Sequence, residues 1–357
     1  MNVPFRAIRH PGNAKSPAPP GARAFPHPEP PRQRARILPV FFPFQGCPGR
    51  CVYCAQPAAT GTAPASLAEH LRALEARLEL AARQGAAPLE LGFYGGTFTA
   101  LPEPWPGRFL ALAARYRASG LVTRVRCSTR PDAVSPALLD RLAAQELDMI
   151  ELGVQTFHAP ALAAARRGYG PEAAHAACQA VRRAGLALGV QLLPGLPGHA
   201  PGHLDADVRA ALEHGPEAVR LYPCVVLRGT ALADALARGE YAPWTLEATV
   251  PALADALLAC WGAGVPVIRI GLAPEQDLAA HILAGPWHPA LGQLARSLAL
   301  LRHVRARARA MDPPPTRLLA PDRWRSDVLG HRGALGPHYA ALGLAPAFEA
   351  RADFLLA

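Results

Sequence analysis

Three cysteines stand within eight residues, Cys47-Pro48-Gly49-Arg50-Cys51-Val52-Tyr53-Cys54, spaced C-x3-C-x2-C with an aromatic just before the last thiol. Three closely spaced thiolates can each hold one iron of a cubane [4Fe–4S] cluster. The fourth iron then lacks a protein ligand and can take a small molecule. Ferredoxin runs supply a further thiolate nearby. Here Cys127, Cys178, Cys224 and Cys260 are scattered far along the chain. A structural zinc site wants four ligands, usually as two C-x2-C pairs or with paired histidines. No second pair exists, and the nearest following histidine, His70, falls in a predicted helix. A disulfide would leave one thiol over, and nothing suggests secretion. The spacing points to an open iron–sulfur site with Cys47, Cys51 and Cys54 as ligands.

The elements around the thiols repeat one pattern. The apolar run Ile37 to Phe42 delivers the chain to the cysteines. Ser66-Leu67-Ala68-Glu69 reads as a capping box, and Leu67, Leu71, Leu74 and Leu78 follow at helical spacing up to Gly85. Strands are expected at Leu89 to Tyr94, Arg124 to Ser128, Met149 to Val154, Leu188 to Leu193 and Ala218 to Cys224. Helices alternate with them, opened by Ser135-Pro136 and by Pro171. Such alternation implies parallel strands with helices outside and right-handed crossovers. The expected fold is α/β: a (βα)6 partial TIM-type barrel over residues 36–245, with a flat doubly wound sheet as the alternative. Residues 1–35, rich in Pro, Arg, Gly and His, are expected to be disordered. Residues 246–357 read as a mostly helical extension that caps the barrel, and Val265 to Ile270 could add a strand.

Polar and glycine-rich motifs fall at the C-terminal ends of these strands, the rim where parallel barrels bind ligands. Gly95 and Gly96 lack side chains, so backbone can approach a ligand closely there; a tight turn explains a lone Gly-Gly better, but the position one strand after the cysteines favours the ligand. Arg130 can clamp a carboxylate with two hydrogen bonds, and Ser128 offers a hydroxyl. Gln155 carries a donor and an acceptor together, suited to ribose, substrate or a buried backbone partner. Pro194-Gly195-Leu196-Pro197-Gly198 is either a plain turn or backbone laid against a flat ring.

The cysteine loop with YGGTF, STRPD, ELGVQT, LPGLPG and YPCVVLRGT resembles the radical S-adenosylmethionine (SAM) superfamily. Over residues 37–245 it resembles the radical SAM domain of the Elongator catalytic subunit and of small bacterial relatives lacking the acetyltransferase domain. More distantly it is similar to the oxygen-independent coproporphyrinogen III oxidases. The resemblance implies a [4Fe–4S] cluster and S-adenosyl-L-methionine, with SAM bound at the open iron. It implies that Tyr53, Gly95, Gly96 and Thr97 meet the cofactor, the last three at its methionine end. Ser128, Arg130 and Gln155 then line the cofactor and substrate side, Arg130 and Gln155 as catalytic candidates. Leu193, Pro194 and Gly195 flank the adenine. A flavodoxin or ferredoxin is the implied electron donor, and a tRNA base the implied substrate, with a small molecule or a porphyrin as the alternative; a non-catalytic iron–sulfur role is the remaining reading. The chain departs from Elongator in its shorter spacing between the first two cysteines and in having no evident basic tRNA-binding segment or acetyltransferase region.

The composition sets outer bounds. The net charge is +10, yet Lys15 is the only lysine among 37 basic residues. No lysine lies near any motif, which excludes Schiff-base chemistry. No long apolar run or apolar signal core is present, and free cysteines suit a reducing compartment, so a cytoplasmic protein is expected. Arg296, Arg302, Arg305, Arg307 and Arg309 on one predicted helix read as a solvated face or a phosphate site. Trp287, His288, His331 and Arg332 are candidates to shape the barrel mouth.

Overall fold

A computed structural model describes residues 21–31, 36–57, 61, 65–272 and 278–357. Its centre is a seven-stranded parallel sheet formed by β2 (Arg36–Phe42), β3 (Leu89–Gly95), β4 (Val122–Thr129), β5 (Met149–Gln155), β6 (Ala187–Leu192), β7 (Ala218–Leu221) and β9 (Val267–Ile270). The strands follow in chain order and β2 does not pair with β9, so the sheet is a half-barrel rather than a closed one. The strand raised from the run Val265 to Ile270 is thus the seventh member of the sheet, beside β7.

Alternation decides which face each side chain takes. In β5, Ile150, Leu152 and Val154 join the main apolar core. They meet helices that bring in Leu74 and Leu78, Phe109 and Leu110, Leu139 and Leu142, and Val181. The intervening Glu151, Gly153 and Gln155 belong to the opposite, concave face. Some helices start where capping groups stand. Ser66 Oγ accepts from Glu69 N at 3.2 Å while Ser66 N donates to Glu69 Oε2 at 2.7 Å. Ser135 caps Pro136–Ala144, with proline in the first turn.

The C-terminal part has a core of its own. β11 (Arg317–Pro321) pairs with β12 (Ala345–Glu349) and with β13 (Phe354–Leu356), and β13 pairs with β1 (Arg23–Phe25). Strand therefore accompanies helix in the extension expected to be mostly helical. Of the segment 1–35 expected to be disordered, residues 1–20 and 32–35 lie outside the described residues. Arg23–Phe25 forms the edge strand because Phe25, 3% exposed, stacks on Phe354 with ring centroids 5.3 Å apart. One apolar residue among prolines and arginines gives no periodic signal. The helix Leu291–Arg309 joins the two cores: Leu291, Ala295 and Ala299 enter the first, and Leu300, Val304 and Ala308 the second. Its arginines are largely used in this assembly. Arg296 pairs with Glu29 at 3.2 Å, Arg302 with Asp255, and Arg307 lies over the Phe25 ring.

Candidate cluster and cofactor site

The cysteine loop leaves β2 and is held from both sides. Phe44 and Gly46 take the left-handed backbone conformation, which turns the chain sharply. From below, Gly96 N donates to Phe42 O at 2.9 Å and Thr97 N to Gln45 O at 2.8 Å. A side chain on Gly96 would put its Cβ 1.9 Å from Gln45 O. The Gly95-Gly96 pair is therefore required by the approach of the loop's own backbone. Gln56 ties the loop's end to its start, accepting from Phe44 N and donating to Gly95 O at 2.7 Å. From the other side Val52 N reaches Ala165 O at 3.3 Å, and Leu232 N reaches Val52 O at 2.8 Å.

All three thiols are half-buried and line a cavity of about 540 Å³ on the concave face of the sheet. Cys47 Sγ lies 3.3 Å from Thr97 Oγ1. Arg167, 5% exposed, points Nη1 at Cys51 Sγ, 3.1 Å away, and at the Tyr53 hydroxyl, 3.2 Å away. Its Nη2 donates to Gly153 O at 2.6 Å and to Tyr169 OH at 2.8 Å. Burial opposes the Arg167 charge, but Tyr53, Tyr169 and Cys51 outweigh it and hold the guanidinium protonated. Arg130 donates to both carboxylate oxygens of Asp132, at 2.8 and 2.7 Å, and to the Arg167 carbonyl. Its Nη1 faces Cys51 Sγ at 3.8 Å. Burial, then repulsion from Cys51 and Cys47, pushes the Cys54 thiol up to about 12. A bound cation relieves that crowding, with loss of the proton.

This donor set fits a cubane. Among the described residues, no three His, Cys, Asp or Glu side chains converge as a single ion would need. A cubane instead takes one thiolate per iron, and three thiols on one clamped loop, facing one cavity beside two guanidiniums, meet that need.

The structure brings most of the sequence-predicted residues together. Tyr53, Gly95, Gly96, Thr97, Ser128, Arg130, Gln155 and Leu193 line the same cavity as the three cysteines. Gln155 adopts φ +69°, an uncommon conformation for a residue other than glycine, and its carbonyl accepts from Leu193 N at 2.7 Å. Pro194 and Gly195 stand just behind the wall. Pro194 O accepts from Cys224 N at 2.8 Å, and Gly195 O from Tyr241 OH at 2.6 Å. His288 and His331 contact each other, with ring centroids 5.2 Å apart, and neither lines the cavity. Of the described residues in 246–357, Arg269 and Leu272 are those that do.

Sequence reasoning missed Arg167 and the polar floor of the cavity. Glu151, 1% exposed, accepts from Tyr94 OH at 3.1 Å, from Gln191 Nε2 at 3.3 Å, from Arg126 Nη1 at 3.5 Å and from Arg220 through both Nε and Nη2. Gln191 also donates to Ser128 Oγ at 2.8 Å, and Arg126 pairs with buried Glu90. A signal existed: a single charge inside an otherwise apolar strand, as in Met149-Ile150-Glu151-Leu152 and Ala218-Val219-Arg220-Leu221.

Comparison with known proteins agrees with this architecture. The radical SAM superfamily pattern matches residues 41–211, and the radical SAM C-terminal domain pattern matches residues 216–301. The chain belongs to the radical SAM superfamily. It is 26% identical over 249 residues to a tRNA uridine(34) acetyltransferase of Methanocaldococcus infernus, covering 59% of this chain and 47% of that protein. It is 31% identical over 204 residues to the heme chaperone HemW of Mycobacterium tuberculosis, covering 55% and 52%. The matches thus span about half the length of these relatives. Among solved structures, archaeal Methanocaldococcus infernus Elp3 with an N-terminal deletion superimposes with a TM-score of 0.57 at 21% identity, over 76% of this chain and 63% of that one. The likeness is one of fold.

Proposed function

We propose that the chain is a SAM-dependent iron–sulfur enzyme acting on a substrate held inside the half-barrel. Cys47, Cys51 and Cys54 hold the [4Fe–4S] cluster. When bound, cluster and SAM supply reductive cleavage of SAM and abstraction of a hydrogen atom from the substrate. The observation that carries this reading is the clamped three-thiol loop opening onto one cavity with Arg167 and Arg130 beside Cys51. The N–H groups of Gly96 and Thr97 are spent on the cysteine loop, so the backbone carbonyls around Gly95, Gly96 and Thr97 would receive the ammonium end of SAM, and Leu193, backed by Pro194 and Gly195, would stand against the adenine. Ser128 and Gln155 orient the ribose or the substrate. Arg130 acts mainly by fixing Asp132 and the Arg167 carbonyl through Nε and Nη2, leaving Nη1 for the cluster side. A flavodoxin or ferredoxin supplies the electron.

For the substrate, the relatives named as tRNA uridine(34) acetyltransferases support a tRNA base. A small molecule is the second reading, and the cationic inner wall described below favours it. The relative named as a heme chaperone keeps a non-catalytic role in view. The test is anaerobic reduction of cluster-loaded protein with SAM, followed by assay of 5′-deoxyadenosine. Slow release without substrate is expected. A loaded, reduced protein that neither binds SAM nor releases 5′-deoxyadenosine would leave the non-catalytic reading. Comparison of modified nucleosides and metabolites in a strain lacking the protein then separates tRNA from small molecule.

A further inference from the structure

The charges on the inner face of the half-barrel do not cancel among the described residues. Glu90 pairs with Arg126, and Glu151 takes contacts from both Arg126 and Arg220. Arg130 is paired with Asp132, and Arg167, also without a carboxylate, is spent on Cys51, Tyr53, Tyr169 and the Gly153 carbonyl. Arg269 is left over with its terminal nitrogens unused. It lines the cavity half-buried, and its one hydrogen bond runs from Nε to the Gly271 carbonyl at 3.1 Å. No carboxylate among the described residues pairs with it, so both terminal nitrogens remain to be used.

Its placement is as informative as its charge. Arg269 sits on β9, directly beside Arg220 of β7 in the strand register, so two guanidiniums stand side by side on the last strands. Tyr222 shares this wall, its hydroxyl 3.1 Å from Arg220 Nη1. Across the cavity β2 presents Ile37, Pro39 and Phe41, which are apolar or aromatic. The cysteine loop leaves that opposite edge strand. The cavity is thus apolar on the β2 side and cationic on the side furthest from it along the sheet. A half-buried guanidinium without a counter-ion is costly unless it finds an anion.

We propose that Arg269, beside Arg220 and Tyr222, binds the anionic group of a small-molecule substrate, a carboxylate or a phosphate. This rests on the second substrate reading above. A planar fork suits either group through paired N–H···O contacts. The apolar β2 wall then takes the remainder of the molecule.

The test is calorimetric titration of the cluster-loaded protein in low-salt, phosphate-free buffer with inorganic phosphate, succinate and the neutral isostere succinamide. At least one anion should bind, and succinamide should not. Whether phosphate or succinate binds tighter decides the source of the anionic group. Arg269→Gln should weaken the preferred anion about tenfold or more, Arg269→Lys should recover only part of it, and Arg305→Gln, an exposed arginine, should leave it unchanged. If Arg269→Gln does not fold, Arg269→Lys, which keeps the charge but loses the planar fork, stands in for it, and unchanged affinity for the preferred anion overturns the proposal. No preference for anions, or equal binding in a folded Arg269→Gln, overturns the proposal. So does an equal fall in SAM affinity, which assigns the arginine to the cofactor. A stem-loop RNA whose binding alone depends on Arg269 also overturns it, in favour of a nucleic acid. The titration uses no reductant, so failure of SAM cleavage sinks the enzyme reading without touching this result, and the reverse holds too.

Discussion

Arg167 and Arg130 show how much of this site is held by side chains that do not look like ligands. Both stand beside Cys51, and both are anchored elsewhere, on Gly153, Tyr169 and Asp132. That the three thiols share one loop could be read from spacing alone, because they stand within eight residues. Arg167 could not, since it lies far along the chain and reaches Cys51 only through the fold. Anaerobic reconstitution should load about four irons per chain, as a cubane requires. Replacing Cys47, Cys51 or Cys54 by Ala should abolish the site by iron and sulfide analysis. Cys178→Ala and Cys260→Ala should not, because both thiols are buried in the apolar core away from the cavity. Arg130→Ala should weaken SAM binding, measured by equilibrium dialysis, by roughly 1.5–3 kcal/mol. Arg130→Lys should not rescue it. An ammonium cannot bridge both Asp132 oxygens and the Arg167 carbonyl while still facing Cys51. Equal SAM affinity in both variants would remove Arg130 from the site.

At the scale of elements, the parallel strands and most helices were legible because each strand buries an apolar face and many helices carry a start signal, a capping side chain or a proline in the first turn. The strand ends were less so. The run expected from Ala218 to Cys224 stops at Leu221 as a strand, and Pro223 follows closely. Nor could sequence separate the two explanations of Gly95-Gly96. The loop after β3 supplies backbone to the loop after β2, and Gly96 has no room for a side chain. Gly96→Ala should therefore displace the cysteine loop and cut iron uptake sharply while most of the helical circular dichroism survives. Gly49→Ala is the matched control, since nothing lies within 4 Å of its Cβ position. Equal iron loading in the two variants would show that the loop tolerates a rebuilt approach.

Among the described residues, the two main cores are joined by one long helix and by the N-terminal strand, a union that composition did not reveal. His27 sits at this junction, stacked on Trp324 with ring centroids 3.9 Å apart and accepting from Glu29 N at 3.1 Å. Burial lowers its pKa from 6.5 to about 4. The unfolded chain takes up the proton first as pH falls, so His27 contributes stability that is present above about 6.5 and lost as pH falls toward about 4. Burial lowers the His303 pKa too, so its contribution has the same sign. Thermal unfolding followed by tryptophan fluorescence should show the midpoint falling across that window. His27→Phe should flatten the slope, and an unchanged slope would exonerate this ring. The pairing of β1 with β13 has a further consequence for how the chain is made. Residues 23–25 leave the ribosome early, but their partners at 354–356 follow about 330 residues later. At ordinary elongation rates the first strand waits roughly 20–60 s for its neighbour. During that interval the half-barrel, whose strands lie between residues 36 and 270, can already close over its thiols. Cluster insertion can thus precede completion of the C-terminal core, and a stalled or truncated chain would leave the Phe25 edge exposed as a sticky strand.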